Sequence, residues 1–347
     1  MNEQYPNCPE IRPVTQGVKR PLWSVMIPTY NCAELLRQTL ESLLIQDPGP
    51  DEMQIVVVDN HSTKDNPEAV VKELAGDRVE FYRQPENVGS LNNFQTCLEL
   101  SIGELVHLLH SDDCLRPGFY EKMAKPFLEE PNLGAAFCRS IFMDENCNWE
   151  GFSDLELPQS GILPKGWIEK LADVCRISVP SLAVVRRQVY ETIGGYDSRC
   201  GLSGDWEFWV RVFANYPMWF EAEPLAKWRR HSMSNNVTNA KSPSFIQENF
   251  YTVEAILSYL PNGWQGKVGK KIKQNCAFLA LQSAEYFFQN GDTSKGFSLL
   301  QQGLKYSLSS QVLMSACRIL WENVPLSLLE SPRNVLGSQP CGNGKVV

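Results

Sequence analysis

The chain has 347 residues and a formal net charge of −8. That length is enough for one large α/β domain and a smaller appendage. The negative charge argues against a nucleic-acid-binding protein, because neutralising phosphates requires a basic surface. No apolar run reaches the roughly 18 to 20 residues of a membrane-spanning helix, and residues 1–20 lack the apolar core of a signal peptide. The 11 cysteines, an odd number without a C-x-x-C pair, are typical of reduced thiols, so we expect a cytoplasmic protein.

Strands and helices alternate through the first 140 residues, which predicts a largely parallel sheet with flanking helices. The predicted strands are 23–28, 54–59, 79–83, 104–109 and 133–138. The predicted helices are one after Asn31 with an apolar stripe from Leu36 to Leu44, and those at 67–75, 92–102 and 117–129. Asn31 should cap the first of these helices, with Glu34 returning the bond as in a capping box.

The pattern then changes from α/β to all-helical. Helices are expected at 165–175, 186–193 and 204–215, short strands near 218–221 and 225–229, and only amphipathic helices from about residue 244. The expected division is a flexible arm (1–21), a domain in two halves (22–140 and 141–243), a helical subdomain (244–330) and a mobile tail (331–347).

Polar residues follow three of the predicted strands, at the sheet edge where ligands collect in open α/β sheets. These turns are Pro28-Thr29-Tyr30-Asn31, Asp59-Asn60-His61-Ser62 and His110-Ser111-Asp112-Asp113. An aromatic ring and two carboxylate clusters at one edge suit a nucleotide. The ring would stack on the base, one carboxylate would accept from a base N–H or ribose hydroxyl, and paired carboxylates would hold a metal ion.

The Asp112-Asp113 pair indicates a divalent cation. Adjacent carboxylates repel each other and are costly to desolvate unless a cation joins them. Mg²⁺ or Mn²⁺ is typically held by one or two carboxylates together with diphosphate oxygens. A solvated turn that precedes the helix at Pro117 is the alternative interpretation of this pair taken alone.

Five segments in order resemble the family 2 glycosyltransferases, which have the GT-A fold. They are SVMIPTYN, IVVVDNHS, PENVGSLNNF, GELVHLLHSDD and SVPSLAVVRRQVYETIGGYD with the SGDWEFWVRV and PLAKWRRHS that follow it, over about residues 22–235. The resemblance implies that 22–140 binds a nucleotide sugar and that 141–243 binds the acceptor and carries the catalytic base.

The reaction implied by this resemblance is an inverting transfer of a sugar from a nucleotide diphosphate, assisted by Mn²⁺ or Mg²⁺. A UDP- or dTDP-sugar is favoured as donor, with a GDP-sugar left open. The acceptor would be a saccharide or a lipid-linked saccharide, as in polysaccharide biosynthesis, which leaves a peripheral position at the inner membrane face open.

The resemblance also implies which residues bind the nucleotide. Tyr30 would stack on the base beside Pro28 and Thr29, and Asp59 would accept from the base N–H. Further nucleotide contacts are implied for Asn87, Asn93, Asp112, Arg229 and Arg230.

Metal binding and catalysis are likewise assigned by the resemblance. Asp113 and His231 would be metal ligands, while Asp112 would face the ribose or the metal. Asp205 would be the general base, because it matches the catalytic acid of the family's E-D-[WY] stretch.

The chain departs from the family pattern at four positions. The family usually has acids where Asn60 and His110 stand, an arginine at Asn92 and a glutamate at Gly204. Four alternatives stay open: Asp205 as an ordinary acid at a helix start, Glu207 as the base in its place, an inactive carbohydrate- or nucleotide-binding scaffold, and a nucleotidyltransferase.

Overall fold

The computed structural model describes residues 5, 7–177, 179–230, 243–260 and 265–324. The strands are β1 (Trp23–Thr29), β2 (Met53–Asp59), β3 (Glu80–Arg83), β4 (Leu105–Leu108), β5 (Cys114–Leu115), β6 (Ala135–Met143), β7 (Trp149–Phe152), β8 (Gly161–Ile162), β9 (Ala183–Arg186) and β10 (Met218–Arg229). The helices are α1 (Ala33–Leu44), α2 (Pro67–Ala75), α3 (Ser90–Leu100), α4 (Phe119–Glu129), α5 (Ile168–Asp173), α6 (Arg187–Ile193), α7 (Gly204–Asn215), α8 (Pro243–Tyr259), α9 (Lys267–Gln289), α10 (Thr293–Tyr306) and α11 (Ser310–Asn323).

The ten strands form one mixed sheet in the order β3-β2-β1-β4-β9-β6-β10-β5, with β7 beside β6 and β8 beside β10. The β3-β2-β1-β4 part is parallel, and β9 lies antiparallel between β4 and β6. β6 therefore runs in the direction of β4, and β10 pairs with β6 in parallel. The carboxyl ends of β1, β2, β4, β6 and β10 thus share one edge, which confirms the predicted α/β architecture.

The apolar strands form the centre of this sheet. Every residue of β1 is buried, and β2 is buried except for its half-buried second residue, Gln54. Helices on both faces explain why these strands have no polar side. Gly103 lets the chain pass close to β1, since a Cβ at this position would lie 2.5 Å from the Ser24 nitrogen.

The predicted capping box at the start of α1 is wrong. The N-cap is Cys32, without a side-chain hydrogen bond. Asn31 has a φ of 50°, and its side-chain oxygen accepts from the backbone N–H groups of Thr63 (2.9 Å) and Lys64 (3.0 Å). The amide therefore binds the neighbouring turn instead of the helix.

Two strand predictions are also corrected. The segments 218–221 and 225–229 are one strand, β10, whose register against β6 shifts on either side of Pro224. Proline has no N–H to donate to the ladder, and a bulge accommodates it within a strand. The strand β9 was not predicted, because its short apolar run stands directly before a helix.

The chain divides into two compact units. The first comprises Met1–Ala240 and Gln247–Ile272, and contains the sheet. The second comprises Lys241–Ile246 and Lys273–Val347, and it is helical over its described residues. This confirms a helical C-terminal part, whereas the exact domain boundaries stay a prediction, and the predicted tail 331–347 lies outside the described residues.

Two other regions bear on the predictions. In the segment predicted as an arm, Tyr5 and Ile11 are buried, and the Tyr5 hydroxyl accepts from the Asn215 side chain at 2.7 Å. Among the helices that the structure describes, none has the length and apolar character needed to cross a membrane.

Candidate active site

The turns after β1 and β2 are joined by two hydrogen bonds from backbone N–H groups, as expected for turns at one sheet edge. The Asn60 N–H donates to the Thr29 carbonyl at 2.8 Å, and the Asn31 N–H donates to the Ser62 hydroxyl at 2.8 Å. Between these anchors the Tyr30 side chain is 45% exposed. A fixed backbone with an exposed ring is the arrangement that base stacking requires.

The residues that precede Tyr30 are buried. Pro28 and Thr29 end β1 and pair in register with Val58 and Asp59 of β2. The Thr29 hydroxyl is buried and has no hydrogen-bond partner among the described residues. A buried hydroxyl without a partner is costly, so this atom is suited to bind a ligand placed over the turn.

Asp59 is fully buried, and its carboxylate is held in one orientation. It accepts from the Ser62 N–H at 3.1 Å and from the Ser62 hydroxyl at 2.5 Å. Arg83, which is opposite Asp59 in the β2–β3 register, lies 3.2 Å from the same carboxylate. The sequence analysis missed Arg83, although its position at the end of the strand beside β2 was available as a signal.

Asn60 explains one departure from the family pattern. Its side-chain N–H donates to the Asn87 side-chain oxygen at 3.0 Å, and its side-chain oxygen accepts from the Val88 N–H at 2.9 Å. An aspartate would be able to accept but not to donate. The amide therefore positions the loop at 87–89, where the exposed Asn87 side chain also accepts from the Gly89 N–H at 3.0 Å.

Asn93 is buried, and both ends of its side chain are used within the protein. Its N–H group donates to the Val58 carbonyl at 3.0 Å, and its oxygen accepts from the Gln84 side chain at 3.2 Å. The nucleotide contact predicted for Asn93 is not supported by this placement.

The turn after β4 brings three possible metal ligands together. One ligand atom from each of His110, Asp112 and Asp113 lies within 4.8 Å of the others. Asp113 is buried, and its two carboxylate oxygens accept from the Arg229 backbone N–H (2.9 Å) and from the Ser181 hydroxyl (2.6 Å). Burial and the neighbouring Asp112 charge raise the pKa of Asp113 well above its ordinary value. A bound cation would relieve this repulsion.

Ser181 positions the same turn from the β9 side of the sheet. Besides donating to Asp113, its hydroxyl accepts from the His110 backbone N–H at 2.9 Å. Its own backbone carbonyl is 3.1 Å from the buried His107 ring. Ser181 belongs to the SVPS segment of the family resemblance, but the sequence pattern alone indicates no role for it.

The sequence alone indicated no function for His110, but its ring has the properties that a metal ligand requires. Its Nε2 atom is buried and has no hydrogen-bond partner in the described part of the chain. The ring packs on Phe94, with centroids 5.2 Å apart. Burial lowers the pKa of His110, which favours the neutral imidazole that binds metals. The signal was its position two residues before the Asp pair, where the family usually has an acid.

Arg229 supports this turn from inside the protein. It is buried, its Nε donates to the Asp112 carbonyl at 2.9 Å, and its Nη2 donates to the Gln38 side chain at 2.7 Å. A diphosphate contact by Arg229 is therefore not supported. Arg230 is exposed and lies 3.7 Å from Glu150, and the predicted metal ligand His231 lies outside the described residues.

Asp205 is the second residue of α7 and is half-buried. Among the described residues, none forms a hydrogen bond or an ion pair with its carboxylate, and burial raises the pKa of Asp205 to about 7. The pKa of the Tyr196 hydroxyl is raised by burial first, then by the neighbouring Tyr190, and then by the charge of Asp205. Tyr196 packs on Phe94, which packs on His110, so one aromatic cluster extends from Tyr196 to the turn at 110–113.

Glu207, the alternative base, lies in a buried ion pair. Its carboxylate is 2.8 Å from Arg211 Nε and accepts from the Tyr259 hydroxyl at 2.8 Å. Arg211 also donates to the carbonyls of Ile193 and Gly195. Glu207 therefore holds the Arg211 side chain that joins α7 to the turn at 193–195, and it joins α7 to α8 through Tyr259. A catalytic role for Glu207 is not supported by these contacts.

Comparison with known proteins agrees with this geometry. Residues 24–194 match the family described as Glycosyl transferase family 2. The chain is 28% identical over 259 residues to an uncharacterised protein of Mycobacterium tuberculosis, a match that covers 71% of this chain and 78% of that protein. It is 26% identical over 239 residues to an uncharacterised glycosyltransferase of Methanocaldococcus jannaschii, covering 68% and 79%.

Solved structures show the same fold. TarS 1–349 of S. aureus in complex with UDP-GlcNAc has a TM-score of 0.57 at 14% identity and covers 82% of this chain and 91% of its own. The mannosyltransferase PcManGT of Pyrobaculum calidifontis, in complex with GDP-Man and Mn²⁺, has a TM-score of 0.52 at 18% identity and covers 89% and 90%. Such low identities show the fold alone. Together with the family match, they identify residues 24–194 as a family 2 glycosyltransferase domain with the GT-A fold, and the chain as a glycosyltransferase.

Proposed function

We propose that this glycosyltransferase moves a sugar, with inversion, from a nucleotide diphosphate donor to a saccharide or lipid-linked saccharide acceptor, assisted by Mn²⁺ or Mg²⁺. The observation that carries the proposal is the convergence of His110, Asp112 and Asp113 within 4.8 Å at the sheet edge that also holds Tyr30 and Asp59. A metal and a nucleotide at one edge are what a nucleoside diphosphate leaving group requires.

The nucleotide would lie over the turns after β1 and β2. Tyr30 stacks on the base, and the Asp59 carboxylate, oriented by Ser62 and Arg83, accepts from an imide N–H of uracil or thymine. This arrangement favours a UDP- or dTDP-sugar. A purine donor such as a GDP-sugar is the less favoured alternative, although the neighbour PcManGT was solved with GDP-Man.

The donor set of the turn fits a divalent cation, because two carboxylates and a buried imidazole nitrogen without a partner converge there. When bound, the cation would neutralise charge that develops on the departing diphosphate. We assign the cation to Asp112, Asp113 and His110 together, since each Asp113 oxygen that accepts a hydrogen bond keeps a second lone pair for a metal. The role predicted for His231 stays a prediction.

Asp205 would remove the proton from the attacking acceptor hydroxyl. A base works best when its pKa is near the working pH, and burial raises the pKa of Asp205 to about 7. Because no described side chain binds this carboxylate, an acceptor hydroxyl does not need to displace a partner. Arg230, which is exposed beside the turn, remains the proposed contact of the diphosphate, and Asn87 that of the nucleotide.

A screen of nucleotide sugars by thermal unfolding tests the metal and the donor together. A donor at 100 times its Kd should stabilise the protein by about 2.7 kcal/mol, and part of this gain should require Mn²⁺. Asp112→Asn should remove the Mn²⁺-dependent part, because an amide is a poorer ligand for a hard cation. Asp77→Asn, at an exposed acid in the turn at 76–78, should keep it. Stabilisation by donors that is the same with and without Mn²⁺ would rule out the metal site.

Replacement of the exposed ring tests the base pocket. Tyr30→Ala should weaken nucleoside diphosphate binding by about 1 to 3 kcal/mol, the range for a lost base–aromatic stack, as measured by titration calorimetry. Tyr30→Phe keeps the ring and should bind nearly as well as the parent. Tyr251→Ala, at an equally exposed tyrosine of α8 (47% exposed), is the matched control. An Ala variant at position 30 that binds as tightly as the parent would contradict the stacking role.

A further inference from the structure

The strand β7 presents two exposed aromatic side chains that the active-site geometry does not use. Trp149 is 58% exposed and Phe152 is 48% exposed. Their rings are in contact, with centroids 6.3 Å apart and an interplanar angle of 77°. Single exposed apolar residues are normal on protein surfaces, but a pair of touching rings on a four-residue strand forms a defined surface. We call it the β7 aromatic pair.

The β7 aromatic pair lies close to the metal-binding turn. In the strand registers, Trp149 is opposite Met143 of β6, and Met143 is opposite Arg229 of β10. Neighbouring strands are about 4.8 Å apart, which places the Trp149 backbone about 10 Å from that of Arg229. The Arg229 N–H binds Asp113, and its Nη1 approaches the carbonyls of the hairpin before Trp149. The pair therefore lies beside the site, at the same sheet edge.

A basic side chain contacts one of the two rings, and an acidic residue stands between the two aromatics in the sequence. The Arg139 guanidinium lies 5.3 Å from the centre of the Phe152 ring and is held there by a 2.9 Å bond to the Ser153 carbonyl. Glu150, between the two aromatics in the chain, lies 3.7 Å from Arg230. Aromatic faces with a few fixed donors and acceptors are typical of sites for small polar ligands.

We propose that the β7 aromatic pair is an acceptor-binding subsite that stacks on a pyranose ring of the saccharide. The apolar C–H face of a pyranose packs on an aromatic ring, and its hydroxyls need both donors and acceptors, which Arg139 and Glu150 supply. This inference rests on the proposed function, because it places the acceptor of that reaction.

The local charge favours a saccharide over an anionic lipid surface. The exposed acids Glu145, Glu150 and Asp154 flank the pair in the sequence. Arg230 lies 3.7 Å from Glu150, Arg176 lies 2.5 Å from Asp154, and Arg139 contacts the Phe152 ring, so positive charge is not in excess there. Membrane-binding patches need an excess of positive charge to be attracted to anionic lipids. A neutral, polyhydroxylated ligand has no such requirement.

Saturation-transfer NMR on the full chain tests the subsite. The probes are methyl β-D-glucopyranoside, methyl β-D-galactopyranoside and methyl α-D-mannopyranoside, each titrated with UDP and diamagnetic Mg²⁺ present. At least one should bind, and Trp149→Ala should weaken its binding roughly 3- to 10-fold, the equivalent of a lost aromatic contact. Trp149→Tyr keeps a ring and should restore most of the affinity. Trp321→Ala, at a tryptophan of α11 that is 78% exposed, should leave the binding unchanged.

Several results would overturn the subsite. One is that none of the glycosides binds the parent protein, and another is that Trp149→Ala and Phe152→Ala bind them as the parent does. Binding to phosphatidylcholine–phosphatidylglycerol vesicles, or dimerisation in sedimentation runs, that depends on Trp149 would assign the pair to a membrane or to a second copy. UDP binding with Mg²⁺, measured on the same samples, reports on the proposed function separately. If UDP still binds while none of the glycosides does, the subsite is rejected and the proposed function is not.

Discussion

Asp205→Asn should lower the rate of sugar transfer by roughly 10² to 10⁴, the range for a lost general base. The amide keeps the size of the side chain but is unable to accept the proton of the acceptor hydroxyl. Donor and metal affinity should barely change, because the lost interaction belongs to the transition state. The measurement is kcat and kcat/KM of both proteins, once the thermal screen has identified a donor and the glycoside titrations an acceptor.

The pH dependence of the parent provides a second readout of the same change. Burial raises the pKa of Asp205 to about 7, and the base acts in its ionised form, so kcat/KM should rise with pH through an apparent pKa of about 7. The residual rate of the Asn variant should lack this step. Parental rates in the Asn variant, or an unchanged pH step, would remove Asp205 from the mechanism.

The Asp205→Asn change, which should lower the transfer rate, should raise the stability of the folded protein. The folded-state pKa of Asp205 lies above its value in the unfolded chain, about 3.9, so ionised Asp205 destabilises the fold. This cost is fully present above pH 7 and disappears as the pH falls from about 7 towards 4. Asp205→Asn should therefore stabilise the protein relative to the parent at pH 8 more than at pH 5, which separates a catalytic loss from unfolding.

The sequence predicted the sheet well because its strands are apolar on both faces and alternate with amphipathic helices. β1, β2 and α7 agree with their predicted ranges to within a residue. The failures concern residues whose partners are distant in sequence. Asn31 resembled a helix cap, but its amide binds residues 63 and 64 in the next turn, a contact that no local pattern reveals.

The candidate site shows the same limit. The sequence placed carboxylates and an aromatic ring at one edge, and strand order alone was enough for that. The sequence did not show which of these residues face a ligand and which stabilise the turn, because that depends on the direction of each side chain. Arg229 and Asn93 are turned inward by partners on other elements. The backbone of His110 is held in the turn at 110–113 by Ser181, which lies 71 residues later in the chain.

Glu207 and Asp205 are two residues apart, and the structure places their carboxylates in different environments. Asp205 has no partner among the described side chains, whereas Glu207 is buried against Arg211 and Tyr259. If Glu207 were the base, its replacement would affect the rate first. If it is structural, the replacement affects stability first, because a buried guanidinium loses its counter-charge.

Glu207→Gln should accordingly lower the free energy of unfolding by about 3 to 5 kcal/mol, the usual cost of removing one partner of a buried ion pair. Arg211 is fully buried and remains charged at all practical pH values, so it is unable to avoid this cost by losing its proton. Urea unfolding at pH 7 measures the effect, with Asp205→Asn as the matched control on the same helix. The double variant Glu207→Gln/Arg211→Met removes the unpaired charge and should recover part of the loss. A Gln variant that is as stable as the parent but 10² to 10⁴ slower in transfer would reverse the two assignments and make Glu207 the base.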